Sequence, residues 1–297
     1  MPGRLTGQAG VVTGGGRGIG RAYAKSLAAE GMAVVVNDNG CEMGQRGENH
    51  EPADSVVKEI KAAGGKAVAS YGDVANKSDA AKIVKAAKGS FGRLDLLITN
   101  AGTYRDGFVV DLTPEDFEFT IGVHIMGSVY CSLEAIKVMR AQGGGAIINI
   151  ASGSMHGTPR LATYAVGKGG AYSVMRALSL EMPQYNISVN AISPGGTRTR
   201  AMADYLHQMS VKEKAPERAK AMEPHLHDPE VLGPLAVFLA SAEGRKLNGY
   251  VFSVGNNSVT ILNGQTPVGT AYFTPATWNA EQFIQVLPKL IPPAARR

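Results

Sequence analysis

The chain has 297 residues, 44% of them hydrophobic, and 30 Lys and Arg against 25 Asp and Glu give a formal net charge of +5. This length fits one large α/β domain or two small ones, with enough apolar residues for a sizeable core. The basic residues form no stripe with interleaved aromatics, so no nucleic-acid partner is expected, whereas the charge suits an anionic ligand such as a pyrophosphate or coenzyme A.

Apolar, β-rich segments alternate with helical patterns along the chain. Strands are predicted at residues 10–13, 33–37, 66–71, 94–99, 146–151, 187–192 and 250–254. Helices are predicted at 21–30, 53–63, 78–89, 113–140 and around Tyr164 to about 182. Fully apolar strands separated by helices imply a parallel sheet covered on both faces. The predicted fold class is α/β, a doubly wound parallel seven-stranded sheet (Rossmann fold) with helices on both faces and a C-terminal extension.

Three segments depart from this alternation. Residues 40–52 form a long polar insert after the second strand, and residues 197–229 are predicted to form a lid. Residues 261–297 form the C-terminal extension, which holds Trp278, so residues 1–297 are read as one domain with a core at about 5–260. The lid has apolar residues spaced for one helix face, which favours a bulky apolar substrate or ordinary packing of that helix: Met202, Tyr205, Leu206 and Met209.

A glycine-rich turn joins the first strand to the first helix. Its sequence from Thr13 to Gly20 places Gly14, Gly18 and Gly20 where a phosphate-binding turn requires close backbone approach. The free amides and positive dipole end of the following helix favour a pyrophosphate. The turn therefore predicts a bound dinucleotide, with a glycine-rich structural turn as the alternative.

Asp38 ends the second strand and predicts the choice of dinucleotide. A carboxylate there accepts hydrogen bonds from the adenosine ribose hydroxyls and repels a 2′-phosphate, which favours NAD. Arg17 is the counterargument, because a guanidinium in this turn would suit the 2′-phosphate of NADP. Asp73, at the end of the third strand, is a candidate for the adenine edge.

Tyr164 and Lys168 lie one turn apart on one face of a predicted helix. A nearby ammonium favours the phenolate form of a tyrosine and so is expected to lower the pKa of Tyr164. Such a phenol would act as a general base on a substrate hydroxyl. By itself, this spacing of tyrosine and lysine is weak evidence for a catalytic pair. The predicted dinucleotide-binding turn in the same chain strengthens that interpretation.

With these motifs the chain resembles the short-chain dehydrogenase/reductase family over about residues 5–260. The resemblance implies catalytic roles for Tyr164 and Lys168 and a substrate-orienting role for Ser152, with Ser154 as a possible substitute. His124 stands where the family usually has an asparagine supporting a water chain to the lysine. A proton relay and a packed helix histidine are both open interpretations. The complete predicted cofactor-binding set is Gly14, Arg17, Gly18, Ile19, Gly20, Asp38, Asp73, Val74, Asn100, Ala101, Gly102, Tyr164, Lys168, Pro194, Gly195, Thr197 and Thr199.

Four segments carry a narrower resemblance: residues 37–40 with the polar insert, 103–106, 123–124 and 248–255. Through them the chain is similar to the (3R)-hydroxyacyl-CoA dehydrogenase domains of multifunctional β-oxidation enzymes and to their bacterial single-domain relatives. This resemblance implies an NAD-dependent oxidoreductase that interconverts a secondary alcohol and a ketone, with a 3-hydroxyacyl-CoA as the first candidate substrate. A steroid or other hydrophobic alcohol dehydrogenase is the alternative substrate class, and a non-catalytic dinucleotide sensor is the alternative of a different kind. An acyl-CoA would place phosphates near four candidate cations: Arg105, Arg160, Arg198 and Arg200. The resemblance also implies a homodimer or homotetramer.

The remaining expectations concern the compartment. Cys41 and Cys131 lie far apart and form no metal or redox motif, so no metal site and a reduced, cytoplasmic setting are expected. The sequence has no uninterrupted run of about eighteen apolar residues, so no membrane partner is expected. The N-terminus lacks the apolar stretch of a signal peptide.

Overall fold

The computed structural model describes residues 3–42, 45, 47–212, 214–255, 257–264, 266–272 and 279–291. Trp278 lies outside the described residues.

Within this part of the chain, nine strands form one sheet in the order β3-β2-β1-β4-β5-β6-β7-β8-β9. Its first seven strands pair in parallel, and β8 and β9 are antiparallel. The strands are β1 (Ala9–Thr13), β2 (Ala33–Asn37), β3 (Lys66–Ser70), β4 (Leu96–Thr99), β5 (Gly145–Ile150), β6 (Ile187–Ser193), β7 (Tyr250–Gly255), β8 (Ser258–Asn263) and β9 (Thr266–Tyr272).

The predicted α/β fold with a doubly wound, mostly parallel sheet is confirmed, but the predicted total of seven strands is wrong. The C-terminal extension supplies the two additional strands. A tight reversal after β7, where Asn257 has φ +57, returns the chain along the edge of the sheet. The predicted end of the core, residue 260, therefore falls inside β8.

Ten α-helices are described, and they cover both faces of the sheet. They are α1 (Gly18–Ala29), α2 (Glu51–Ala62), α3 (Lys77–Phe91), α4 (Pro114–Ile121), α5 (Gly127–Gln142), α6 (Ala162–Glu181), α7 (Arg200–Lys212), α8 (Pro216–Met222), α9 (Gly233–Ala240) and α10 (Ala280–Leu290). Helix α4 begins with a capping box, in which Thr113 and Asp116 satisfy each other's backbone N–H. One π-helical turn, Gly122–Met126, joins α4 to α5, so the predicted helix at 113–140 is nearly continuous.

Two hydrophobic clusters cover the two faces of the sheet. On one face, Tyr23, Phe238 and Phe252 pack together with Phe283 of α10, so the C-terminal extension contributes to this core. The other cluster holds side chains of α3, α5 and α6 against the sheet. A small third cluster joins α7 to α8 within the predicted lid, around Leu206 and Met209.

The stretch Pro114–Gln142 is long and apolar enough to cross a membrane by length and composition, with a mean hydropathy of 1.3 over its most apolar window. In the fold 44% of that window is buried. Buried residues of α5 such as Cys131 and Met139 belong to the cluster under the sheet, so the apolar character has a packing role.

Candidate active site

A cavity of about 810 Å³ opens at the carboxyl ends of the parallel strands. Parallel sheets bind ligands at this edge, in the crevice where the strand order reverses, here between β1 and β4. Every residue that the sequence predicted for catalysis or for cofactor binding lines this one cavity, from Gly14 of the turn to Thr199 before α7. The fold therefore brings together side chains that are separated by up to 185 positions in the sequence.

The glycine-rich turn packs so closely that side chains would not fit. Gly14 has φ +62, and a Cβ there would lie 2.8 Å from the Cα of Ala101. A Cβ on Gly20 would lie 2.0 Å from the carbonyl oxygen of Gly14. Helix α1 begins at Gly18 without a side-chain cap on its first amides. These amides and the close turn suit the pyrophosphate of a dinucleotide.

Asn100 fixes the turn from the neighbouring strand. Its side-chain amide donates to the carbonyl oxygens of Thr13 and Gly14, at 2.9 and 3.0 Å. In return, the Thr13 hydroxyl accepts from the backbone N–H groups of Asn100 and Ala101. The segment after β4 therefore supports the cofactor turn.

Asp38 lies at the end of β2 and faces the same turn. Its carboxylate accepts from the N–H of Gly16 at 2.9 Å and from the N–H of Gly40 at 2.8 Å. Asp73 also lines the cavity, where its carboxylate accepts from the N–H of Ala75. Both acids are thus held by backbone donors at the end of the cavity that the adenosine is expected to fill.

Tyr164, Ser152 and Lys168 meet in the interior of the cavity. Tyr164 and Lys168 lie one turn apart on α6, and Lys168 is only 4% exposed. The Lys168 ammonium donates to the carbonyl oxygen of Ile150 at 2.7 Å and lies 5.6 Å from the centre of the Tyr164 ring. Ser152 hydrogen bonds to Tyr164, whereas Ser154 accepts from Thr158. The geometry therefore favours Ser152 over Ser154 as the partner of the tyrosine.

Burial dominates the protonation of this group. It raises the pKa of Tyr164, and the hydrogen bond with Ser152 opposes this shift. Burial also lowers the pKa of Lys168 from 10.5 to about 7. The expected lowering of the Tyr164 pKa is therefore wrong for the protein without cofactor, because the burial of the phenol raises this pKa. The Lys168 ammonium donates to the Ile150 carbonyl oxygen.

His124 lies in the π-helical turn, buried against the catalytic helix. Its ring fits between two glycines, since a Cβ on Gly102 or Gly167 would come within 2.7 or 2.9 Å of it. Nε2 lies 2.7 Å from the Thr103 carbonyl oxygen and 3.1 Å from the Thr103 backbone nitrogen. Burial lowers the pKa of His124 to about 3, so the ring is neutral. It meets the Tyr164 ring edge-on at 5.4 Å.

The segment after β6 forms the wall opposite the turn. Gly195 has φ +71, and a Cβ there would lie 2.1 Å from the carbonyl oxygen of Val254. The Thr199 hydroxyl accepts from the N–H of Met202 and so begins α7, and its methyl group faces Gly18. Thr197 is buried, with its hydroxyl near the carbonyls of Pro194 and Gly195. Both threonines, which were predicted to bind the cofactor, line the cavity.

Three residues in or behind the wall of this cavity were not among the predicted site residues. Tyr104 donates to the carboxylate of Asp204 on α7 at 2.5 Å and meets the Tyr164 ring at 6.4 Å. His227 bonds through Nε2 to the Pro194 carbonyl at 2.7 Å. Glu42, in the polar insert, forms an ion pair with Arg200 at the start of α7. Each of these contacts joins residues that are far apart in the sequence, and neither hydrophobic periodicity nor a sequence motif predicts such a contact.

The four arginines considered for coenzyme A phosphates all have acidic partners. Arg160 is buried in an ion pair with Asp106, so it does not face a ligand. Arg105 lies 3.4 Å from Asp116. Arg198 pairs with Asp228 at 3.2 Å and is about half exposed, and Arg200 pairs with Glu42. The described residues hold no group of three or more His, Cys, Asp or Glu side chains that could bind a metal ion.

Comparison with known proteins gives consistent matches. The sequence model described as short chain dehydrogenase matches residues 8–210. The peroxisomal hydratase-dehydrogenase-epimerase of Saccharomyces cerevisiae is 40% identical over 221 residues, which is 73% of this chain. This chain spans only about a quarter of that protein, 24% of its length.

Two further matches extend over nearly the whole length of the protein compared. A 3-oxoacyl-[acyl-carrier-protein] reductase of Synechocystis sp. is 33% identical, over 86% of this chain and 98% of that protein. The crystal structure of a short chain dehydrogenase from Mycobacterium avium superposes with a TM-score of 0.74 at 33% identity, covering 99% of this chain and 97% of that one.

Proposed function

The chain belongs to the short-chain dehydrogenase family, an oxidoreductase family acting on CH–OH groups, and we propose that it uses NAD to interconvert a secondary alcohol and a ketone. The observation that carries this proposal is the placement of Tyr164 and its Ser152 partner in the same cavity as the glycine turn and Asp38. A sensor without catalysis would have no use for this acid–base group.

The chemistry divides between the chain and its cofactor. The nicotinamide, when bound, supplies hydride transfer. The Ser152 hydroxyl orients the substrate oxygen and stabilises charge that develops on it. The Tyr164 phenolate takes the hydroxyl proton during oxidation, and the resulting phenol returns a proton to the substrate oxygen during reduction. Lys168, already anchored on the Ile150 carbonyl, supplies a positive charge one helical turn from the phenol whenever it is protonated.

Three observations support NAD. Asp38 is held by two backbone N–H groups at the end of β2, where a carboxylate accepts hydrogen bonds from ribose hydroxyls. Arg17, the group that would favour NADP, lies 3.5 Å from the carboxylate of Glu42 and also donates to the Cys41 carbonyl. The cavity carries further acids in this region, including Asp73.

For the substrate we propose a 3-hydroxyacyl thioester of coenzyme A. The names of the yeast and cyanobacterial relatives include a dehydrogenase and an oxoacyl reductase, which supports an acyl substrate. A second cavity of about 970 Å³ adjoins the first at Thr199 and Met202. Its lining includes Arg198 and Lys220, whose positive charges would suit the phosphates of coenzyme A. Such a phosphate would share the Arg198 guanidinium with Asp228.

A hydrophobic alcohol without coenzyme A is the second candidate substrate. The lid presents apolar side chains to the cavity from Met202, Tyr205 and Met222, which would contact a steroid or a long acyl chain equally well. The two candidates differ in their need for the cations of the second cavity.

The test is the reduction of NAD and of NADP, followed by absorbance with 3-hydroxyacyl-CoAs, steroid alcohols and simple secondary alcohols. The proposal predicts the highest kcat/KM with NAD and a 3-hydroxyacyl-CoA, and a loss of this advantage when the acyl group lacks coenzyme A. No turnover of any alcohol with either dinucleotide would contradict it.

Setting and assembly are part of the same proposal. Cys41 and Cys131 are both free, which supports a reduced, cytoplasmic setting. Leu133 of α5 and Val166 and Leu180 of α6 are apolar and exposed by 44% or more, which supports a homodimer or homotetramer through these two helices. Size-exclusion chromatography with light scattering checks the assembly.

A further inference from the structure

The polar insert after β2 carries a carboxylate that contacts two arginines of the cavity wall. Glu42 lies 3.5 Å from the guanidinium of Arg17 in the glycine-rich turn. Its other carboxylate oxygen pairs with Arg200, the first residue of α7, which is 158 positions away in the sequence. One side chain therefore joins the insert, the cofactor turn and the lid.

These three residues occupy the region where NAD and NADP differ. All three line the cavity beside Asp38, whose carboxylate is held against the N–H of Gly16 directly before Arg17. NADP carries a phosphate on the adenosine ribose, and a guanidinium is the side chain best suited to bind it. Among the described residues that line the cavity, Arg17 and Arg200 are the arginines, and both contact Glu42.

We infer that Glu42 is a specificity-determining residue, which selects NAD by keeping Arg17 and Arg200 from a 2′-phosphate. Asp38 would repel that phosphate directly, whereas Glu42 acts by engaging the two cations that would otherwise attract it. A 2′-phosphate would have to displace the Glu42 carboxylate from both arginines. Because Arg200 begins α7, this displacement would also remove an ion pair that ties the lid to the insert. The inference rests on the proposed use of a nicotinamide dinucleotide.

Glu48 provides a matched control in the same insert. Its carboxylate also lines the cavity, but its partner is His50 at 2.8 Å instead of an arginine. Glu48→Gln thus removes one negative charge near the cofactor without releasing Arg17 or Arg200. Both glutamates are more than half exposed, so neither substitution disturbs a packed core.

The experiment measures the Kd of NADH and of NADPH by isothermal titration calorimetry, which needs no substrate. Glu42→Gln is expected to strengthen NADPH binding relative to NADH by roughly tenfold, the effect of about one charge-assisted hydrogen bond. Glu48→Gln is expected to change this ratio much less. In the triple variant Glu42→Gln/Arg17→Gln/Arg200→Gln most of the gain should disappear, because both released cations are gone.

Equal ratios for Glu42→Gln and Glu48→Gln would overturn the inference, as would a gain that persists in the triple variant. Failure of the wild-type protein to bind either dinucleotide would overturn it as well. A protein that binds NADH, shifts its preference in Glu42→Gln and oxidises no alcohol would support the inference while contradicting the proposed function.

Discussion

At the scale of single residues, burial sets the chemistry of the active site. Lys168 is enclosed by α6 and the end of β5, and the energetic cost of burying its charge lowers its pKa to about 7. The spacing of Tyr164 and Lys168 was visible in the sequence, but the direction of the pKa shift of Tyr164 was not. That direction comes from the burial of the phenol inside the folded cavity, which the spacing of the two residues does not reveal.

Lys168 makes the stability of the protein without cofactor depend on pH. The unfolded lysine holds its proton up to about pH 10.5, whereas the folded one releases it near pH 7, so the unfolded state binds more protons between these values. The free energy of unfolding should therefore rise with pH from 7 to 10.5 through this group and fall as pH drops through 7.

Comparison of the wild type with Lys168→Met tests this linkage. The difference in Tm between the wild type and the variant should increase from pH 7 to pH 10, in favour of the wild type, by an amount on the order of 5 °C. Lys137→Met, at an exposed position of α5, is the control and should follow the wild type across this range. A wild-type advantage that is independent of pH would contradict the assigned shift.

His124 is expected to act as a positioning residue for Tyr164. Its neutral ring holds the Thr103 carbonyl and packs edge-on against the tyrosine. His124→Ala should lower kcat about tenfold, or about 1.4 kcal/mol in the barrier, because Tyr164 loses its packing. His124→Asn, which retains a donor for the Thr103 carbonyl, should recover much of this loss.

The pH profile separates positioning from proton relay at His124. A neutral ring with a pKa of about 3 should add no inflection between pH 5 and 9, so wild type and His124→Asn should give profiles of the same shape. A change in shape would favour the relay interpretation.

At the scale of elements, the start of α7 is held from two sides. Arg200 and Asp204, one turn apart, pair with Glu42 of the insert and with Tyr104 after β4. The sequence predicted the apolar face of the lid helix from the spacing of its residues. In the structure, Leu206 and Met209 of that face are buried in the small hydrophobic cluster between α7 and α8. The contacts of Asp204 with Tyr104 and of Arg200 with Glu42 could not be predicted from the sequence, since they join residues 100 and 158 positions apart.

Tyr104→Phe should loosen the lid without removing the ring from the cavity. The substitution leaves the half-buried carboxylate of Asp204 without its phenol donor, which costs about 1–3 kcal/mol where the lid is closed. We expect KM for the alcohol to rise about fivefold, with a smaller change in kcat. Asp204→Asn, which keeps an acceptor for the phenol, should raise KM less. An equal KM in the wild type and Tyr104→Phe would show that the hydrogen bond between Tyr104 and Asp204 does not affect substrate binding.

At the scale of the whole molecule, the C-terminal extension is continuous with the dinucleotide-binding core. Its strands extend the sheet past β7, and Phe283 and Leu287 of α10 belong to the same cluster as Phe238 of α9. The seven parallel strands were predictable because their apolar runs mark burial on both faces. The edge strands β8 and β9 alternate polar and apolar residues over short lengths, a pattern that an irregular tail also shows.

Phe283→Ala tests whether the extension stabilises the whole fold. Removing this fully buried ring should lower the free energy of unfolding by about 3–5 kcal/mol and shift one cooperative transition to lower denaturant. Tyr272→Ala removes an aromatic ring that is 80% exposed on the same extension, and it should change the free energy by less than about 0.5 kcal/mol. A separate early transition that leaves NADH binding intact would mean that the extension unfolds independently.

The central claim, that Tyr164 is the proton-transferring group of an NAD-dependent alcohol oxidoreductase, is tested most directly by Tyr164→Phe. This change removes one hydroxyl and keeps the ring contacts with Tyr104 and His124. Turnover of the best alcohol should fall by about 10²–10⁴-fold, the usual contribution of a general acid or base, while the Kd of NADH stays within about twofold of the wild type. Turnover retained within tenfold of the wild-type rate would contradict the claim.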